Sequence, residues 1–436
     1  MYFLVNPSPA GSARLRVPGD KSVSHRALML GAIAEGRTRV DGFLPGADCL
    51  ATLAALEAMG VQIARDGEHG LEIEGVGLHG LASPARALDL GNSGTAMRLF
   101  AGLLAGQGFD SELTGDASLS ARPMARVVEP LARMGARIDS RDGRPPLRIA
   151  GGRALRGISY ALPVASAQVK SAILLAGLYA EGETHVRQPA VTRDHTERML
   201  AALGVDIEPR GNTIALRPGA PLRACPIDVP ADLSSATFPL LAALLAEDAT
   251  LVLENTGVNP TRDGVLHLLR EMGADIRLMN ERDSGGEPVA DLEVRSSRLA
   301  GTVPDPTLVP LAIDEFPALF VAAACAEGTT EFRGLAELRV KESDRIAAMV
   351  EGLRALGIEV EEFPDGARVV GGRLRGGRVR SFGDHRIAMA FAVGASVAAG
   401  PVRIDDVDNV ATSFPGFDDC LRALGIDIET RGEGGA

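Results

Sequence analysis

One pattern recurs six times along the 436 residues, and it limits the fold more than any other feature. Each copy has a helix-like run of small apolar residues ending in Gly or a polar pair, followed by a short β-branched strand. The copies are ALMLGAIAEGRTRV, LFAGLLAGQGFDSEL, ILLAGLYAEGETHV, LLAALLAEDATLVL, LFVAAACAEGTTEF and FAVGASVAAGPVRI. A second apolar-periodic helix follows each, closing on or near L-x-x-[ML]-G-x-x-[IV]. The glycines of that second motif are Gly60, Gly135, Gly204, Gly273, Gly357 and Gly425, spaced by 75, 69, 69, 84 and 68 residues. A unit of this size cannot bury its own apolar face, so copies must stack on one another.

Within a copy, Ala- and Leu-rich segments of 3.6-residue period predict helices, and the glycine after each offers a left-handed C-cap. Segments such as VQIARDGEHGLEIEG and VDIEPRGNTIALRPG alternate, turn and alternate again, as hairpins do. The first helices are apolar on all sides, which suits a buried interior. The expected fold class is therefore α/β (α+β). It is a two-domain inverted α/β barrel of six βαβαββ-type units, three per domain, with helices inside and sheets outside. The expected domains are 19–234, and 1–18 with 235–436, the strand in SARLRV joining the second set. Hinges are expected near 18–20 and 232–236, with the active site in the cleft between.

Composition excludes several classes. With 46% hydrophobic and 23% charged residues the chain is globular rather than disordered. Its longest charge-free stretch, Ile387 to Val402, is sixteen residues with two glycines, short of the roughly 18–25 a membrane span needs. MYFLVNPSPAGSAR lacks the basic leader and apolar core of a secretory signal. Cys49, Cys225, Cys325 and Cys420 stand outside metal-ligand spacing of one another, suiting a reducing cytoplasm and giving no metal site. A net charge of −12 argues against a nucleic-acid footprint over the surface. Of 45 basic residues only Lys21, Lys170 and Lys341 are Lys. A GC-rich genome accounts for that bias; a Lys that persists marks a place where a compact ammonium is required.

The first helix of each copy starts from a polar stretch: GDKSVSHR, GNSGTAMR, ASAQVKS, ADLSSATF, IDEFPAL and GDHRIAM. Ser, Asn and Asp there serve ordinarily as N-caps. Charged or amide side chains at five of the six go beyond capping, because a helix N-terminus is also an anion site. Six such ends turned inward would make an electropositive funnel in an acidic protein, fit for a small polyanionic substrate. ARPM adds Arg122, and LRVKESDR adds Lys341, Glu342 and Arg345, with Lys341 and Arg345 expected on one helical face at i, i+4.

The motifs PGDKSVSHR, LGNSGTAMR, ARPM, SAQVKSAILLAG, TRDHTE, IDEFP, LRVKESDR, FGDHRIAMA and ATSFPGF, in this order, resemble 5-enolpyruvylshikimate-3-phosphate (EPSP) synthases from about residue 7 to the C-terminus. The resemblance implies transfer of the enolpyruvyl group of phosphoenolpyruvate to the 5-hydroxyl of shikimate 3-phosphate, with release of phosphate, in aromatic amino-acid biosynthesis. It implies no cofactor, no nucleic-acid or membrane partner, and a cytoplasmic monomer. By the same resemblance Asp314 is the base for the attacking hydroxyl, Glu342 exchanges the proton with the methylene carbon, and Lys21 lies between both substrates. Shikimate 3-phosphate would be held by Lys21, Ser22, Arg26, Ser166, Ala167, Gln168, Arg193, Asp314 and Lys341. Phosphoenolpyruvate would be held by Lys21, Gly94, Arg122, Gln168, Arg345 and Arg386, with Asn92, Thr95 and His385 as further candidates.

This chain departs from some members of the family. Some have a phosphoenolpyruvate-contacting Lys before Thr-Phe-Pro in the C-terminal segment, where this chain reads Ala411-Thr412-Ser413-Phe414-Pro415 and lacks it; Glu337 replaces Asn, and Ala167 replaces the second Ser of a Ser-Ser-Gln motif. These features resemble the branch with glyphosate-tolerant enzymes, but tolerance there goes with Ala at the place of Gly94, which implies a sensitive enzyme here. Two rivals share parts of the pattern. The sister enolpyruvyl transferase acting on UDP-N-acetylglucosamine carries a reactive Cys where this chain has Ala117. A clamp-like DNA-binding ring also stacks six α/β units, but would leave Lys341, Glu342 and Asp314 without work.

Overall fold

The computed structural model describes residues 1–432. The chain divides into two compact units, one of residues 1–18, 231–282 and 288–436, the other of 19–230 with 283–287. The break falls at Pro230–Ala231, a few residues before the position suggested by the repeat, and the hairpin tip 283–287 belongs with the second unit. Each unit has its own apolar core.

The six lead helices are α1 (Lys21–Ile33), α2 (Gly94–Ala105), α3 (Ala167–Gly177), α4 (Leu233–Leu245), α5 (Phe316–Cys325) and α6 (His385–Ala395). They are buried on nearly all sides; in α4 every residue but Leu245 is buried. That follows from composition, since each fully buried Leu or Phe contributes roughly 1.5–3 kcal/mol and these helices have no polar face to solvate. Side chains of Asp20, Ser93, Ser166, Asp232 and Asp384 cap five of the six N-termini. Glu315, ahead of α5, does not cap. Where each second helix ends, Gly60, Gly135, Gly204, Gly273, Gly357 and Gly425 all take positive φ, between 84° and 103°. Only Gly adopts that turn without steric cost, so the repeated glycine is the C-cap that the spacing predicts.

The described residues form six sheets, and in five of them the strand after the lead helix pairs antiparallel with a hairpin strand on one side. In three sheets it also runs parallel to the short strand that precedes its own lead helix, as Leu88–Asp89 does with Ser111–Thr114. At the two chain crossings these leading strands are exchanged. Ala13–Leu15, which precedes α1, pairs with Thr250–Gly257 after α4. Ile227–Asp228, which precedes α4, pairs with Glu35–Asp41 after α1. Each unit is thus completed by the strand laid down just before the chain crosses over. Tyr2–Val5, which no repeat pattern announces, fills the sixth sheet between Val402–Asp405 and Ile428–Arg431. The wide 84-residue spacing holds a long hairpin, Asp275–Ser284 and Glu287–Arg295, and a 3-10 turn at Pro306–Leu311.

Candidate active site

In the second unit the N-termini of α1, α2 and α3 are tied together by side chains. Lys21, the first residue of α1, places Nζ 3.2 Å from Asp48 Oδ2. His25, one turn on, faces Thr52 Oγ1 at 2.8 Å through Nδ1 and Ser93 Oγ, the cap of α2, at 3.4 Å through Nε2. Burial, with Lys21 and Arg26 close by, pushes the His25 pKa down to about 3, so the imidazole is neutral and structural at ordinary pH. Arg26 is buried and donates to Thr196 Oγ1 (2.7 Å), Ser171 Oγ on α3 (2.8 Å) and the Ser22 carbonyl (2.9 Å). Burial lowers its pKa to about 10, which leaves it charged. Arg193 is half-buried, and its positive charge also acts on Arg26.

Between α2 and α3 runs a second chain of contacts. Gln168 Nε2 donates to Thr95 Oγ1 at 2.8 Å, and Gln168 Oε1 accepts from Arg98 at 2.6 Å. Asn92 accepts from Arg122 Nη2 at 2.6 Å and donates to Asp116 at 2.7 Å, so an amide holds the guanidinium in place. Ser118 accepts a further, longer bond from Arg122, at 3.3 Å. Gly94 lies against these arginines: a Cβ there would sit 2.8 Å from Arg98 Nη1 and 3.0 Å from Arg122 Nη1. Ser166 is committed to capping α3, with Ser22, Ala167 and Gln168 half-buried beside these helix starts.

Lys170 is not at any site surface. It is wholly buried, its ammonium 2.7 Å from Glu197, 3.1 Å from the Thr192 carbonyl and 3.3 Å from Gln188. Three acceptors for three N–H bonds explain why Lys survives there in an Arg-rich chain. His195 of the same TRDHTE segment pairs with Glu287 at 2.8 Å, anchoring the hairpin tip.

The first unit gathers the other candidates. Asp314 Oδ1 accepts from Lys341 Nζ at 3.3 Å and Arg345 Nη1 at 3.4 Å, and the Asp314 carbonyl accepts from Arg386 at 3.3 Å. Arg345 is fully buried and donates also to Glu342 Oε2 (2.7 Å) and to both oxygens of Asp384 (2.8 and 3.4 Å). Burial opposes its charge, but Asp384, Glu342 and Asp314 together outweigh that and hold it firmly protonated. Lys341 and Arg345 do not share a helical face as the spacing suggests. The helix begins only at Arg345, after a 3-10 turn at Ala336–Val340, and the two cations meet on Asp314. Arg345, expected to grip substrate, has four of its contacts on protein carboxylates.

His385 opens α6 and is buried, beside the cap Asp384. Arg386 is mostly buried, 3.9 Å from Glu315 Oε1. Glu315 also accepts from Ser234 at the start of α4, and Arg262 donates to Ser234 (2.6 Å) and Asp232 (2.9 Å). The other Glu315 oxygen is buried with no hydrogen bond among the described residues. Glu315 therefore ties the N-termini of α4, α5 and α6 together. Its position inside IDEFP was visible in sequence, but its burial was not. Asp48 and Arg262 lie in no motif, and only the fold brings them in. Among the described residues no group of three or more His, Cys, Asp or Glu is arranged to hold a metal ion, and no helix is long and apolar enough to cross a membrane.

Each unit thus presents three helix N-termini laced with fixed cations, and one of them adds the carboxylates Asp314 and Glu342 beside Lys341. Residues 5–421 match the sequence profile of EPSP synthase (3-phosphoshikimate 1-carboxyvinyltransferase). The chain belongs to the EPSP synthase family. It is 60% identical to the 3-phosphoshikimate 1-carboxyvinyltransferase of Alkalilimnicola ehrlichii, covering 99% of this chain and 97% of that one. With the enzyme of Methylococcus capsulatus it shares 59%, over 98% of each. A solved EPSP synthase from Acinetobacter baumannii superposes with a TM-score of 0.89 at 52% identity, covering 98% of this chain and all of that one. The mixed α/β fold is that of EPSP synthase structures, and the chain is an enzyme of this family. The sister transferase and the DNA clamp are set aside.

Proposed function

We propose that this enzyme joins phosphoenolpyruvate to the 5-hydroxyl of shikimate 3-phosphate through the groups described above, each unit being an inverted barrel of three repeats. The chemistry needs a base for the hydroxyl, an acid for the methylene carbon, and neutralisation of phosphate and carboxylate charge. Asp314 takes the hydroxyl proton as the oxygen bonds to C2 of the enol. Glu342 delivers a proton to C3, which becomes a methyl group. The tetrahedral ketal then loses phosphate from C2 as C3 returns its proton, leaving the enolpyruvyl ether. Lys341 stabilises the charge developing beside Asp314, and Lys21 serves both substrates. Arg122, Arg345 and Arg386 neutralise phosphoenolpyruvate. Ser22, Arg26, Ser166, Ala167, Gln168 and Arg193 receive shikimate 3-phosphate, with Asn92 and Thr95 orienting Arg122 and Gln168, and His385 lining the start of α6.

The observation that carries this reading is the meeting of Lys341 and Arg345 on Asp314, with Glu342 on the same guanidinium. We propose that it works as a cytoplasmic monomer, and four free cysteines suit a reducing compartment. An assay of phosphate release tests the reaction. Release is expected from phosphoenolpyruvate only when shikimate 3-phosphate is present, and not with UDP-N-acetylglucosamine in its place. Release from phosphoenolpyruvate alone would overturn it.

Gly94 offers a second check. An Ala there pushes Arg122 and Arg98 away, so KM for phosphoenolpyruvate should rise about tenfold, the worth of one charge-assisted hydrogen bond of about 1.5 kcal/mol. KM for shikimate 3-phosphate should move far less, and glyphosate inhibition should weaken. Equal kinetics and equal inhibition in Gly94→Ala and wild type would show that neither arginine is displaced.

A further inference from the structure

The segment that carries Arg193, residues 188–194, leaves the strand Thr184–Arg187 and enters the helix His195–Ala202 without regular structure of its own. Val191 is exposed and Arg193 half-buried, whereas Gln188 and Thr192 are buried. Both flanks of Arg193 are clamped. On the helix side Asp194 takes Arg198 Nε on both oxygens at 2.9 Å, and Thr196 Oγ1 meets Ser171 Oγ and Arg26 Nε, each at 2.7 Å.

On the strand side the clamp is the buried Lys170. Gln188 Oε1 accepts from the Thr192 N–H at 3.2 Å and from the Thr192 hydroxyl at 2.8 Å. The Lys170 ammonium donates to that same oxygen at 3.3 Å and to the Thr192 carbonyl at 3.1 Å. Thr192 is thus held at three atoms. Its carbonyl matters most, because a peptide unit is planar and the Thr192 C=O shares one rigid plate with the Arg193 N–H. Fixing that oxygen fixes the direction in which the chain enters Arg193.

Stability alone does not account for the buried charge. An ion pair of this kind is often no more stabilising than well-packed apolar side chains of similar volume. One Glu197 oxygen meets Lys170 at 2.7 Å, while the other is buried with no hydrogen bond among the described residues. What an apolar side chain could not supply is the hold on Thr192. Arg193 needs that hold, since it and Arg26 repel one another and a loose loop would let them part. We infer that Lys170 is a positioning residue: through the Thr192 carbonyl it aims Arg193 and so sets the affinity for the phosphate of shikimate 3-phosphate. This rests on the reading of Arg193 as a ligand of that phosphate.

Steady-state kinetics and thermal unfolding of Lys170→Met and of Lys170→Met/Glu197→Gln test it. The double variant removes both buried charges together, so no unpaired carboxylate remains to unfold the chain. In both, KM for shikimate 3-phosphate should rise about tenfold, the worth of one charge-assisted hydrogen bond. Turnover and KM for phosphoenolpyruvate should stay within about twofold of wild type, the split expected when only one substrate's binding is touched. Arg193→Ala should raise the same KM, and adding Lys170→Met to it should raise it no further, since both changes act at one contact. Unchanged KM for shikimate 3-phosphate in both Lys170 variants, an equal added loss in the Arg193→Ala background, or a fall in turnover matched by loss of folded protein would each overturn the inference while leaving the role of Arg193 intact. An Arg193→Ala enzyme with wild-type KM would instead remove the phosphate reading, and this inference with it.

Discussion

Glu342→Gln and Asp314→Asn lower kcat by about 10²- to 10⁴-fold, the usual worth of a positioned proton-transfer group. Both substitutions keep an oxygen where the neighbours need one. Glu342 as Gln can still accept from Arg345, and Asp314 as Asn can still accept from Lys341 and Arg345. Arg386 bonds the Asp314 backbone carbonyl, which no side-chain change removes. The neighbouring arginines are therefore left in place, and KM for each substrate should move by only a few-fold. Steady-state kinetics in both substrates, with thermal unfolding measured alongside, makes the comparison. A variant with near wild-type kcat would remove that residue from proton transfer. A loss of kcat matched by loss of folded protein would make the residue structural instead.

Arg345→Met costs about 3–5 kcal/mol of stability as well as activity, because it strips the compensating charge from a buried cluster. Asp384 is wholly buried and loses its bidentate partner, while Asp314 and Glu342 lose their shared one. The midpoint of urea unfolding should fall, and the deficit should shrink as the pH is lowered. The sign follows from linkage: an unpaired buried carboxylate has its folded pKa raised above the unfolded value, so folding gains from protons below that pKa and loses them above it. Arg345→Lys should recover only part of the loss, since one ammonium cannot fork onto three carboxylates. An Arg345→Met protein as stable as wild type at neutral pH would show that the guanidinium is replaceable, and that its contacts to Asp314 and Glu342 are incidental.

Much of this architecture is local and therefore legible. The repeat glycines are a left-handed turn written into sequence, and all six adopt it. The polar stretches ahead of the lead helices are caps, and five of the six side chains cap as their chemistry dictates. The exchange of leading strands at the crossings, and the use of Tyr2–Val5 in the last sheet, left no local trace, because strand partners hundreds of residues away are chosen by tertiary pairing.

The site divides the same way. Sequence by itself fixed the repeat, the helix starts and the residues that stand on them, since periodicity, capping and turn chemistry act over a few residues. Only the tertiary structure decided which of those residues are committed inward. It turned Lys170 into a buried ion pair, made Arg345 the hub of three carboxylates, and drew Asp48, Arg262 and Glu315 into the network. Burial and charge pairing depend on neighbours supplied by distant parts of the chain, and no local pattern encodes them.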